Sequence, residues 1–457
     1  MTRATAIALL ACACTVGPEY RRPEIEVPKA FNEGSGRGAA KVEKWWTNFH
    51  DPLLESLVAR AVEGNLDLKI SSARILEARA ARGIAASAGL PQVAANGGYA
   101  RSKRTVSLGE PGEPSAHSVF EAGFDASWEI DVFGGVRRDE EAALAQVQAA
   151  EEGREDVLVT LAADVARNYV ELRGAERQIE IVDQTVESQR ETLALARSRF
   201  DAGLAAELDV ARAQGFLAAT ESQRPAFEVI RQQAAFRLGV LLGREPEALL
   251  AELEEPAAIP PSPPDVPGVL PSELLSRRPD LRRSERELAA ATARIGVATA
   301  DLFPRFNLAG SFGRRSDDLT GFNASSQFWS GGFGIQWPIL SGGRIRSNIK
   351  VQEARQEQAL LGYQKAILTA LEEVENALAA HGRELTRRES LRASVAANRR
   401  ALELATERYT GGLEDFLGVL DAQRSVYVAE DLLVQSERNS AITMIAVYKA
   451  LGGGWGS

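Results

Sequence analysis

Phe120-Glu-Ala-Gly-Phe-Asp-Ala-Ser-Trp128-Glu-Ile130-Asp-Val-Phe-Gly134-Gly135-Val-Arg-Arg138 is the stretch on which the fold turns. Phe120, Ala122, Phe124, Ala126, Trp128 and Ile130 take every second position, with Glu121, Asp125, Ser127, Glu129 and Asp131 among the residues between and after them. That period of two predicts a β-strand with one apolar and one wet face. Past the glycine pair the period changes. Steps of three and four residues from Leu158 meet Leu161, Val165, Asn168, Leu172, Ala175, Ile179, Val182, Val186, Gln189, Leu193, Ala196 and Phe200, a heptad seam with two polar interruptions. No proline occurs from Ser115 to Arg224. A helix from about Asp139 to Phe200 therefore runs unbroken, on the order of 90 Å at ~1.5 Å per residue, and no compact core needs one so long.

The pattern is written twice. Trp128-Glu-Ile130 and Gly134-Gly135 recur as Trp337-Pro-Ile339 and Gly342-Gly343; Phe200-Asp-Ala-Gly203-Leu204 recurs as Tyr409-Thr-Gly-Gly412-Leu413. Upstream, Gly89-Leu90-Pro91 matches Leu302-Phe303-Pro304. The offset from Trp128 to Trp337 and from Phe200 to Tyr409 is the same 209 residues, the mark of an internal repeat. Alternating segments near Val93 to Arg101, from Phe306 to Phe312 and from Trp329 to Ile339 bring the strands to four, joined in pairs by polar loops (Thr105 to Ser118; Ser316 to Ser326). The second seam holds Ile367, Ala370, Val374, Ala377, Leu391, Val395, Asn398, Leu402, Ala405 and Tyr409, with a polar middle at His381, Glu384 and Arg388. Glycine-marked turns at Gly203 and Gly411-Gly412 send each long helix back as a second one, through about Gly243 and about Leu451. Between the copies, Pro256 to Pro271 reads as an extended connector. Shorter helices, roughly Pro52 to Leu90 and Pro279 to Leu302, lead into the strand pairs.

Composition narrows the function. The chain has 457 residues, 45% hydrophobic and 25% charged, with a formal charge of −10 from 53 Lys+Arg against 63 Asp+Glu. It folds, and it has no basic run to track a phosphate backbone, so nucleic acid is not a partner. Three histidines (His50, His117, His381) and two cysteines (Cys12, Cys14) are too scattered or too N-terminal for a metal site. No nucleophile elbow or phosphate loop is present, so neither an enzyme nor a cofactor is expected. No stretch reaches the ~18 apolar residues of a transmembrane helix. Alternating strands with Trp, Phe and Ile on one face instead suit a barrel wall between lipid and water. Four strands cannot close, and small spanning barrels begin at about eight, so the chain must pool its strands with copies of itself. Dimer, trimer and larger rings satisfy that requirement alike.

The N-terminus, MTRATAIALLACAC, places Arg3 before an apolar run and small residues around the cysteines, as a secretory signal does. Leu9-Leu10-Ala11-Cys12 and Ala11-Cys12-Ala13-Cys14 both resemble the bacterial lipobox, so either cysteine is a candidate lipid anchor.

These features together resemble the TolC-like outer-membrane efflux channels, in particular their NodT-like lipoprotein branch. Cys14-Thr-Val-Gly17-Pro18-Glu-Tyr20-Arg-Arg-Pro23 is similar to the family's start after its lipidated cysteine. Trp45-Trp46-Thr-Asn-Phe49-His-Asp51-Pro52-Leu53 and Gly64-Asn65-Leu66-Asp67-Leu68 resemble its first-helix opening, and the paired strand ends and hairpin tips complete the likeness. The resemblance implies a mixed, mainly α chain: an internally duplicated protein with long coiled-coil helices forming a periplasmic α-barrel tunnel, and four β-strands per chain pooled into a 12-stranded trimeric outer-membrane β-barrel. The segments expected are 1–13 signal peptide, 14–51 N-terminal extended or equatorial segment, 52–255 first repeat, 256–278 connector, 279–451 second repeat and 452–457 tail. The function implied is the exit duct of a tripartite efflux pump, with a periplasmic adaptor (membrane fusion) protein, an inner-membrane pump of the RND type and outer-membrane lipid as partners. The resemblance selects Cys14 for lipidation, and lipobox hydrophobicity selects Cys12. It further implies a periplasmic gate at Leu417, Asp421 and Arg424, a closure tie of Arg408 and Tyr409 to the first hairpin near Asp209, and adaptor contacts at the tips Gly203, Leu204, Gly412 and Leu413. A secreted or lipid-anchored coiled-coil scaffold or adhesin explains the heptads but not the duplicated strand pairs. The exit duct of a type I protein secretion system is a further alternative.

Overall fold

The structure, a computed structural model, describes residues 15–32, 43–103, 116–263, 266–320 and 326–453. They form two compact units. One holds the described residues of Met1–Glu24 with Arg74–Glu151 and Arg283–Gln364; the other holds those of Ile25–Ala73, Glu152–Arg282 and Lys365–Ser457.

The first unit contains the sheet: β1 (Gln92–Lys103), β2 (Ala116–Ile130), β3 (Arg305–Ser316) and β4 (Gln327–Gln336), antiparallel in the order β1-β2-β3-β4. Register sorts the two faces. Ala95 lies opposite Phe124, Phe124 opposite Phe312, and Phe312 opposite Trp329, with Trp128, Leu308 and Phe333 aligned in a neighbouring row. On the other face Ser311 and Ser330 share a hydrogen bond of 2.6 Å, Arg315 donates to Glu121 at 2.8 Å, and Asn96 donates to Asp125. The apolar face is open: Trp329 is 78% exposed and Ile335 62%. Trp337 to Ile339, expected to continue the last strand, lie past its end at Gln336, because Pro338 has no N–H for the ladder. The duplication shows in hydrogen bonds: Trp128 Nε1 donates to the Gly89 carbonyl at 2.9 Å and Trp337 Nε1 to that of Leu302 at 3.0 Å, the matching position. Residues 15–17 dock here too. Val16 N–H donates to the Phe133 carbonyl at 3.1 Å, and a Cβ on Gly134 would lie 2.8 Å from Thr15.

The helices are α1 (Pro52–Gly64), α2 (Leu66–Ser87), α3 (Gly135–Asp201), α4 (Glu207–Glu221), α5 (Arg224–Leu241), α6 (Pro271–Arg277), α7 (Pro279–Ala300), α8 (Arg344–Thr410) and α9 (Phe416–Ala450). α3 and α8 each run 67 residues, as proline's absence predicts. Two expected single helices are broken. Asn65 separates α1 from α2: its side chain accepts from Leu68 N–H at 3.0 Å and donates to the Leu241 carbonyl at 2.9 Å. A Cβ on Gly64 would lie 2.1 Å from the Leu242 carbonyl oxygen, so only glycine lets the two backbones approach so closely. The first returning helix is α4 and α5, interrupted at Ser222-Gln223, with Pro225 in the first turn of α5, where no N–H is missed.

The core of the second unit explains the Trp45-to-Leu53 motif. Trp45 is fully buried and stacks on Tyr448 at 5.2 Å between ring centres. Asp51 caps α1 by accepting from Leu53 and Leu54 N–H and also accepts from the Tyr169 hydroxyl at 2.8 Å; burial, then that bond, pushes the tyrosine up to about 12. The polar middle of the second seam is answered by a matching face of α9: His381 meets Thr443 (3.1 Å), Glu384 accepts from Ser436 (2.5 Å) and Arg388 donates to Ser440 (3.2 Å). No helix among the described residues is long and apolar enough to cross a membrane.

Candidate functional site

Both long helices end in the same local geometry. After α3, Gly203 N–H donates to the Phe200 carbonyl at 2.8 Å and Leu204 N–H to that of Arg199 at 2.8 Å; after α8, Gly412 donates to Tyr409 at 3.1 Å and Leu413 to Arg408 at 2.8 Å. Gly203 and Gly412 take φ of 71° and 73°, the left-handed conformation that this cap requires. Leu204 (75%) and Leu413 (73%) stand exposed on the tips.

Tyr409 is buried with Phe416, Val419 and Leu420 against Leu193, Ala196 and Ala213, so the two hairpins share an apolar cluster. Among the described residues the expected tie to Asp209 is not made within one chain. Among the described residues the Tyr409 hydroxyl has no hydrogen-bond partner, Arg408 donates from Nε to Glu414 at 3.1 Å, and no bond joins Asp209 to either. Arg199 makes the tie instead. Its guanidinium lies 4.3 Å from the Tyr409 ring centre and donates to the carbonyls of Tyr409 (3.0 Å) and Thr410 (3.2 Å). The sequence did carry the signal for Arg199: it stands 209 residues before Arg408, as Phe200 does before Tyr409.

Leu417, Asp421 and Arg424 fall at i, i+4 and i+7 on α9 and are all exposed, whereas Phe416, Val419, Leu420 and Gln423 are buried on the opposite side. The helix thus presents an apolar residue, a carboxylate and a guanidinium in one stripe. Asp415 caps the helix by accepting from Gly418 N–H at 3.0 Å, which gives the two acidic tip residues local roles. Cys12 and Cys14 lie outside the described residues.

His381, 1% exposed, is a buried polar residue of the same hairpin. His381 Nδ1 lies 3.1 Å from the Thr443 hydroxyl, which itself donates to the Ser440 carbonyl at 3.1 Å, and among the described residues Nε2 has no hydrogen-bond partner. Burial pushes its pKa below the ordinary value of 6.5, and the Arg388 charge acts in the same direction.

The family described as outer membrane efflux protein matches residues 57–244 and 270–453. Nodulation protein T of Rhizobium leguminosarum bv. trifolii is 32% identical over 450 residues, covering 98% of this chain and 96% of the relative. Outer membrane protein OprJ of Pseudomonas aeruginosa is 34% identical over 456 residues, covering 98% and 95%. The solved outer-membrane channel OprN superimposes with a TM-score of 0.91 at 37% identity, covering 97% of this chain and 100% of that one.

Proposed function

The chain belongs to the outer membrane efflux protein family, and from that premise we propose that it is the outer-membrane exit duct of a tripartite efflux pump for small molecules. The observation that carries the reading is the sheet: four antiparallel strands with a polar face, an exposed apolar face and two unpaired edges, β1 and β4. Such a face is a liability in water and an asset in lipid, and open edges seek further strands. Three copies supply twelve strands and close the barrel, and the heptad helices of the three copies form the periplasmic tunnel. In that ring the Leu417, Asp421, Arg424 stripes converge on the axis, where an apolar collar beside charged collars gates by dewetting and selects by charge. The exposed tips at Gly203-Leu204 and Gly412-Leu413 meet a periplasmic adaptor, which connects the duct to an inner-membrane pump of the RND type. Cys14 carries the lipid anchor: Thr15, its neighbour in sequence, sits at Gly134, just beyond the end of β2.

The test is expression in a Gram-negative host. The protein should stay with outer membranes through carbonate and high-salt washing, appear as a trimer by native mass spectrometry in detergent and conduct ions in planar bilayers. A washed-off, detergent-free monomer would overturn the reading in favour of a coiled-coil scaffold.

A further inference from the structure

Within one chain, the first copy's Arg199 grips the second copy's tip through three features: the face of Tyr409, the Tyr409 carbonyl and the Thr410 carbonyl. Shifting this contact by the 209-residue repeat converts Arg199 into Arg408, and shifting the gripped tip back converts Tyr409-Thr410 into Phe200-Asp201. The reciprocal contact is not made among the described residues. Arg408 engages Glu414 through Nε, so its terminal nitrogens have no partner among the described residues, and its side chain is 58% exposed. Phe200 is 41% exposed, against 5% for Tyr409. Half of a duplicated interface is therefore filled and the other half is open on both sides.

We infer that Arg408 grips Phe200 of a second copy, stacking on its ring and donating to the carbonyls of Phe200 and Asp201, so that one repeated contact links all hairpin tips in the closed ring. The inference rests on the ring assembly proposed above and adds its closing contact. Geometry supports the equivalence. Both tips share the same capping bonds and a glycine φ within 2° of one another, so the acceptor carbonyls present alike. Around the contact, Leu193 and Ala196 on α3 correspond to Leu402 and Ala405 on α8, and Val419 on α9 to Val210 on α4. Leu193, Ala196 and Val419 are buried within the chain, whereas Leu402, Ala405 and Val210, which pack against the same cluster, are only half-buried and keep apolar surface for a neighbour. An aromatic ring rather than a hydroxyl is what the grip needs, which is why Phe200 serves where Tyr409 does.

The test is thiol cross-linking of the full chain in detergent. A Phe200→Cys, Arg408→Cys double variant treated with a short bis-maleimide should give two- and three-chain products on denaturing gels. An Arg199→Cys, Tyr409→Cys variant should give one-chain products only, and the parent, whose cysteines are Cys12 and Cys14, sets the background. Separately tagged Phe200→Cys and Arg408→Cys single variants, co-expressed, should cross-link to each other; this arm tolerates a double variant that fails to fold. Native mass spectrometry of the same samples separates the two ways of failing. Assembled rings that give no interchain product, or only one-chain product, overturn the contact and leave the ring intact. A monomeric preparation overturns both.

Discussion

Arg199→Ala should loosen the closed tips of the channel. The change removes a cation–π contact at 4.3 Å and two charge-assisted hydrogen bonds to carbonyls at 3.0 and 3.2 Å. In isolation the hydrogen bonds contribute about 1.5 to 3 kcal/mol each and the stacking about 0.5 to 1 kcal/mol. Arg199 is only half-buried, so solvent screening and released side-chain entropy reduce the sum to about 2 kcal/mol. At about 1.4 kcal/mol per tenfold, that shifts the open fraction of a tip roughly thirtyfold. Resting conductance in planar bilayers should rise accordingly, with Arg199→Lys in between because an ammonium keeps the charge without the planar fork. Tyr409→Phe is the internal control. Its hydroxyl has no partner among the described residues, so the ring and the carbonyls that Arg199 uses survive, and conductance should stay near the parent's. An Arg199→Ala channel that remains trimeric with parental resting conductance would refute the reasoning, as would a Tyr409→Phe channel as leaky as Arg199→Ala.

Three further outcomes are expected. Asp421→Ala should weaken cation selectivity and block by multivalent cations, because in the proposed ring the carboxylates converge and attract cations; an intact trimer with both properties unchanged would place Asp421 on a solvated outer face. Acid should destabilise the protein through His381. Its folded pKa lies below the unfolded value of 6.5, so its share of stability is present above 6.5 and is lost as pH falls through 6.5 toward the folded pKa. Thermal unfolding midpoints should decline over that interval in the parent and decline less in His381→Gln, and equal slopes would show that the ring is not the sensor. Palmitate labelling should vanish in Cys14→Ser and persist in Cys12→Ser; label retained in both would reject acylation at Cys14.

Much of this was legible from one chain because the strands and seams each obey a single period. Trp329 and Phe333 point outward because Ser330 and Gly332 lie between them, and α3 is continuous because proline is absent for its whole length. The breaks were less legible since each depends on a distant backbone. Asn65 interrupts a helical pattern because the Leu241 carbonyl needs its amide, and no local signal shows where the end of α5 will lie. The tip followed neither rule. Period arguments identify the exposed stripe of Leu417, Asp421 and Arg424, but only the duplication shows how the copies have diverged around it. At the position of Asp421 the first copy carries Arg212, at that of Phe416 it carries Glu207, and at that of Leu417 it keeps Leu208. Phe416 is 3% exposed and anchors α9 in the shared cluster, whereas Glu207 is exposed and anchors nothing. The second hairpin is therefore the one held by its apolar root, and where it carries a carboxylate the first hairpin carries a guanidinium at the equivalent position. In the proposed ring of alternating hairpins, Asp421 would be repelled by its own kind and attracted to Arg212 on either side. Block by multivalent cations in planar bilayers should therefore respond to Arg212→Ala as well as to Asp421→Ala.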